Sequence, residues 1–159
     1  MFSVGDKIVH PMHGAGYVDS VVVKDVSGEK VEYYVMKISD GRIVVMIPVG
    51  ACDAVGVRQV VSTGVANDVM EYFNTECENM TDNWNRRYRE NMVRLKSGDL
   101  MQVAVVVKGL LERDMVKGLS TGERKMLHSA KQILVSELVM ALDSTEEEIE
   151  ARILKSIAH

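Results

Sequence analysis

The 159-residue chain is 47% hydrophobic and 26% charged, with a formal net charge of −4 at pH 7 and a sequence pI near 5.6. That balance describes one folded domain or two small ones and excludes a disordered chain. It also counts against a protein that grips duplex DNA unaided, through phosphate neutralisation. No apolar run is long enough to span a bilayer, and Met1 to Lys7 lack a basic segment followed by an apolar one, so a cytoplasmic protein with no membrane contact is expected. The two cysteines, Cys52 and Cys77, are far apart and outside any Cys-x-x-Cys pattern, which predicts neither a disulfide nor a zinc site.

Residues 1–54 read as a small β-barrel of the SH3 or Tudor kind. Lys7 to His10 is followed by a break at Pro11, with Gly14 and Gly16 placed to let the backbone bend at a barrel corner. Tyr17 to Val23, Val31 to Ile38 and Arg42 to Ile47 are rich in β-branched residues. Ser27-Gly28-Glu29-Lys30 supplies one turn and Asp40-Gly41 a two-residue hairpin signal, and Pro48 closes the last run. Arg42-Ile43-Val44-Val45-Met46-Ile47 is nearly all apolar. It is either buried on both faces or an edge strand that a partner's sheet completes, and its residues alone assign it to the interior.

Residues 55–64 read as a linker, with Ser62-Thr63-Gly64 as a breaker. From Val65 the period changes to that of a helix, and residues 65–159 are expected to form an all-α bundle, making the chain α+β. Val65 to Cys77 places Val69, Met70, Tyr72 and Phe73 on one side. Trp84 to Lys96 follows, carrying the only tryptophan and five cations, Arg86, Arg87, Arg89, Arg94 and Lys96, against the single anion Glu90. At about 100° per residue, Trp84, Tyr88, Met92 and Leu95 share one arc with the cations around it. Either Trp84 begins a core stripe beneath a solvated basic face, or that face sits on phosphates and Trp84 is an apolar wedge against bases. Asp99 caps a third helix, Leu100 to Val116, whose Val103 to Val107 core is too apolar to be exposed. Ser120-Thr121-Gly122-Glu123 is a capping box opening a helix to about Leu142, and Ser144-Thr145 opens the last one.

Assembled chemistry is missing from the sequence. His10 and His13 have no Cys or acidic ligand set beside them, and Gly14-Ala15-Gly16 is a fragment of a dinucleotide fingerprint with no helix behind it. No phosphate loop or activated nucleophile motif is present. The expectation is a binding protein, with no cofactor, metal or small-molecule substrate.

Phe2-x-Val4-Gly5-Asp6-x-Ile8-Val9-His10-Pro11-x-His13-Gly14-Ala15-Gly16 resembles the opening of the CarD/CdnL family of bacterial transcription regulators. Trp84-x-Arg86-Arg87-Tyr88 and Gly118-Leu119-Ser120-x-Gly122-Glu123-x-x-Met126-Leu127 resemble its later motifs, in the same order. The amino-terminal part is also similar to the polymerase-interacting domain of transcription-repair coupling factor, whose motor this chain lacks. The resemblance implies a Tudor-like domain on the RNA polymerase β-subunit lobe and a helical domain at promoter DNA, at the upstream edge of the bubble. It makes Arg42 through Ile47, with Lys24, the polymerase-binding edge, reversing the interior assignment. Met46 departs from members that are basic at that position, which bears on docking strength. It further implies DNA contact by Trp84, Arg86, Arg87, Arg89 and Arg124, to which Lys96 and Lys125 are added on charge alone. The competing expectation is a polymerase-associated scaffold whose bundle binds a second protein with Trp84 packed inside.

Overall fold

Alternation along the strands sets the first half of the chain. The computed structural model describes residues 1–38, 41–76 and 80–157, and the chain divides into two compact units, Met1–Val60 and a second beginning at Val61. The first holds β1 (Lys7–His10), β2 (Gly14–Val26), β3 (Glu29–Ile38), β4 (Ile43–Pro48), a single 3-10 turn, α1 (Cys52–Val55) and β5 (Arg58–Gln59). The sheet is antiparallel in the order β4-β3-β2-β1-β5. Opposed residues share a face, so Ile8, Val18, Met36, Tyr34, Ile38 and Ile47 point together into a core that Cys52 and Val57 complete. A register shift between Val18 and Ser20 adds one residue to β2, so that Val18 opposes Met36 and Val21 opposes Tyr34.

The turns follow local chemistry. Val26 pairs with Glu29, leaving Ser27 and Gly28 as a two-residue turn with φ of 52° and 85°, the left-handed pair that matches strand twist. Asp40 of the second expected turn lies outside the described residues. Gly16 has a different role from the expected bend: a Cβ there would run into the Lys37 carbonyl oxygen, so glycine lets β2 and β3 approach.

The helical unit comprises α2 (Thr63–Tyr72), α3 (Trp84–Lys96), α4 (Leu100–Val116), α5 (Thr121–Leu142) and α6 (Glu146–Ile157). Together with the sheet this makes the chain α+β, the amino-terminal unit being its Tudor-like part. Ala66, Val69 and Phe73 pack on Val103, Ala104 and Val107, on Leu134 and Leu138, and on Ile149 and Ile153. The side chains of Ser62, Asn83, Asp99 and Ser120 accept hydrogen bonds at the starts of α2 to α5. Ser62 is thus a helix cap where a breaker was expected, because its hydroxyl accepts from the Val65 N–H and lets the helix begin at Thr63. α2 stops at Tyr72; Cys77, the expected end, lies outside the described residues.

Nor do residues 55–64 hang loose. Arg58 and Gln59 pair with β1, the Val60 N–H donates to Lys7 O at 3.1 Å within the first unit, and the Val61 N–H donates to the buried Glu137 carboxylate at 3.0 Å within the second.

Candidate nucleic-acid interface

α3 starts at its tryptophan because Asn83, in extended backbone, accepts from the Arg86 N–H at 3.0 Å. Tyr88, Met92 and Leu95 turn inward against Val106, Leu110 and Met126. Trp84, in the first turn, does not follow them: it is 42% exposed. Its indole Nε1–H donates to Ser120 Oγ at 2.9 Å, and its ring stacks on Tyr88 with centroids 5.1 Å apart and planes 20° apart. Gly122 lies beneath, where an added Cβ would sit 3.8 Å from Trp84 Cζ2. Ser120 is the N-cap of α5, accepting from the Glu123 N–H at 3.2 Å. The amino-terminal ends of α3 and α5 therefore meet at the indole, and both present partial positive charge there.

Arg87 was grouped with the DNA-facing cations by its motif, and the structure corrects this. Its side chain is 3% exposed and that of Glu123 2%. Nε and Nη2 donate to the two Glu123 carboxylate oxygens at 2.7 and 3.0 Å, and Nη1 donates to Thr81 O at 3.0 Å. These bonds hold the Glu123 carboxyl below the usual carboxylate range and raise the guanidinium further. A guanidinium this buried, with Nε, Nη1 and Nη2 each already donating, is not presented to a phosphate at the surface. It ties α3 to α5 and thereby sets where Trp84 stands.

The other basic residues are exposed but not equivalent. Arg86 is ion-paired with Glu90 at 2.9 Å and Arg124 with Asp114 at 3.3 Å. Among the described residues Arg89 bonds only to the Asn85 carbonyl, at 3.4 Å, and no carboxylate there pairs with Arg89, Lys96 or Lys125. Arg124 and Lys125 lie in the first two turns of α5, near the indole. Lys96, at the far end of α3, is about 18 Å from Trp84 along the helix axis. Asp82, just before the α3 cap, receives Lys117 at 2.8 Å and Arg113 at 3.3 Å, and those bonds lower its pKa. Sequence reasoning noted Ser120 and Glu123 as a capping box and as part of a family motif and missed their second roles toward Trp84 and Arg87. The available signal was Arg87 sharing the inward side of the helical wheel with Asn91, both of which are buried.

In the first unit, β4 is an edge strand, bonded to β3 alone among the described residues, which overturns burial on both faces. It alternates. Ile47 is sealed in the core, Val45 is half-buried and Ile43, on the same face at the start of the strand, is exposed, while Met46 and Val44, the last 56% exposed, face out. Through the register Met46↔Val35↔Ser20 and Val31↔Lys24, Met46 and Lys24 share the outer face. Arg42 is exposed in the turn before β4. His10 and His13 pack ring to ring at 4.6 Å, with His10 Nδ1 occupied by the Met12 N–H.

Residues 68–154 match the family model described as CarD, C-terminal domain, and residues 2–61 match the CarD-like/TRCF RID domain. The chain belongs to the CarD family. It is 34% identical over 151 residues, 95% of this chain and 99% of the relative, to the "Putative transcription factor YdeB" of Bacillus subtilis (strain 168). It also matches the solution NMR structure of the 72-residue N-terminal domain of Myxococcus xanthus CarD, at 37% identity over 37% of this chain and 79% of that one, with a TM-score of 0.32. The CarD-like/TRCF RID match contains the whole of the sheet with its β4 edge, and the CarD C-terminal match contains Trp84, Arg87, Ser120 and Glu123. A family of transcription factors fits the absence of enzymatic motifs at the family level. No helix among the described residues is long and apolar enough to cross a membrane.

Proposed function

We propose that this CarD-family chain docks on the RNA polymerase β-subunit lobe through β4 and stabilises the promoter open complex by resting Trp84 against the upstream fork of the bubble. The observation that carries the reading is the exposed indole, held by Ser120 where two helix amino termini converge. Inserting an apolar wedge between paired bases costs on the order of a few kcal/mol per step. At strands already parted that cost has been met, so the indole binds the fork better than the closed duplex. Only such a difference shifts the equilibrium between closed and open complexes, and about 1.4 kcal/mol shifts it tenfold. Arg86, Arg89, Arg124 and Lys125 set register on the backbone without reading sequence. Lys96 reaches phosphates further along, and Arg87 acts only by fixing α3.

Docking supplies what the acidic chain lacks. An edge strand with outward Val44 and Met46 suits strand addition by a partner sheet, and tethering there raises the local concentration of the helical unit at the fork. The scaffold reading expects a tryptophan packed inside the bundle, and the 42% exposure of Trp84 supports the wedge over it.

The test is open-complex lifetime with purified polymerase. Trp84→Ala should shorten it about tenfold while polymerase capture persists. Unchanged lifetime with intact capture would sink the wedge.

A further inference from the structure

The end of the helical unit where α3 and α5 begin and α4 stops carries several of its cations already paired with carboxylates. Arg86 Nε meets Glu90 at 2.9 Å and Arg124 Nη2 meets Asp114 at 3.3 Å, with the two guanidinium side chains 67% and 60% exposed. Asp82 holds Arg113 and Lys117 in the same way. Pairs this exposed contribute little to stability and exchange readily with solvent, unlike the sealed Arg87–Glu123 pair.

Helix physics gives neither Glu90 nor Asp114 a reason to be where it is. Glu90 follows its arginine by four residues, the less favourable order for an i,i+4 pair. Asp114 lies in the last turn of α4, where the helix dipole disfavours a carboxylate. Each spends its charge on a guanidinium beside the indole instead.

We infer that Glu90 and Asp114 are affinity-setting residues for DNA, internal stand-ins for phosphate that hold Arg86 and Arg124 until a backbone phosphate displaces them. This rests on the reading of the tryptophan end as the DNA-contacting one. After displacement each carboxylate remains nearby and repels the phosphate that replaced it, so binding stays weak. Weakness has a use: competing duplex is in vast excess, and a chain that bound it unaided would be drawn off its anchor. Only DNA presented at high effective concentration by a docked polymerase then captures both arginines.

The experiment measures anisotropy of a fluorescein-labelled forked oligonucleotide with the full chain across a salt series. Glu90→Gln and Asp114→Asn should each tighten binding about threefold at low salt, the effect of one unit charge across a hydrated gap of several ångströms. Each should steepen the log–log salt slope by up to about 0.9, one further phosphate neutralised. Glu147→Gln, an exposed carboxylate in the first turn of α6, makes the same change in net charge and should leave both values unchanged. If the double variant matches the unmodified chain while Trp84→Ala abolishes binding, the stand-in role is wrong and the DNA reading survives. Equal tightening by Glu147→Gln reduces the effect to net charge and also overturns it. If neither the unmodified chain nor the double variant binds the fork at low salt, both readings fall together.

Discussion

The hydroxyl of Ser120 caps α5 and receives the indole N–H of Trp84 across 2.9 Å, so one side chain fixes both a helix start and an aromatic ring. With Nε1 engaged and one face covered by Tyr88, the indole offers its remaining face and edge.

The two roles of Ser120 can be separated. Ser120→Gly keeps an acceptable N-cap, at a cost of a few tenths of a kcal/mol, but leaves the indole without its acceptor. Affinity for forked DNA should fall about fivefold, the worth of about one hydrogen bond, and indole emission should shift while the melting temperature barely moves. Ser120→Thr, which retains a hydroxyl, should restore both. Unchanged emission and affinity in the glycine variant would mean that the bond does not orient the ring.

The Arg87–Glu123 pair predicts a pH signature. Breaking one side of a buried ion pair costs about 3–5 kcal/mol, so Glu123→Gln should lower the stability of the helical unit by about that much near neutral pH. The carboxyl is depressed in the folded state by Arg87. Its contribution is therefore complete above the unfolded carboxylate pKa of about 4.3 and is lost as pH falls through the lower folded value. Urea midpoints measured from pH 7 downward should show the difference between the two proteins constant at first, then shrinking below about pH 4.3. A gap that stays constant to the lowest pH at which both fold would exclude a proton-linked pair.

What the sequence disclosed and what it withheld divide by range. The starts of α4 and α5 were legible because a cap is a contact over two or three residues, as with Asp99 and Met101 or Ser120 and Glu123. Arg87 was misplaced because its partner is 36 residues away and its place on the inward side of the wheel was outweighed by its charge. Gly16 read as a bend because its real constraint, the Lys37 carbonyl, belongs to another strand. For Arg42–Ile47, composition assigned the interior while the register made it an edge, since apolar residues describe both equally well.

Lys108 is a second long-range contact hidden in an apolar helix. Its ammonium donates to Thr75 O at 2.8 Å and Glu76 O at 3.1 Å and lies 4.7 Å from the Tyr72 ring centroid. It thus closes carbonyls left open after α2. Lys108→Met keeps the length of the side chain and removes the donors, and should destabilise the helical unit by about 2 kcal/mol. Urea unfolding checks the value, and a loss below about 0.5 kcal/mol would show those carbonyls to be satisfied equally well by water.

Proline in β4 distinguishes the edge from its inner neighbour. Backbone N–H groups of adjacent strand residues point to opposite sides, so of Val44→Pro and Val45→Pro one removes a bond to β3 and the other a donor facing outward. The second should fold, since an edge strand tolerates proline on its open side, and should lose capture of the polymerase β lobe in a pull-down. The first should lose stability as well as capture, because it breaks the β3–β4 ladder whose register runs from Tyr33↔Pro48 to Ile38↔Ile43. Circular dichroism assigns each variant to its class before capture is measured. A folded proline variant that still captures the lobe would move the docking surface off the strand edge and onto the outer face that Met46 shares with Lys24.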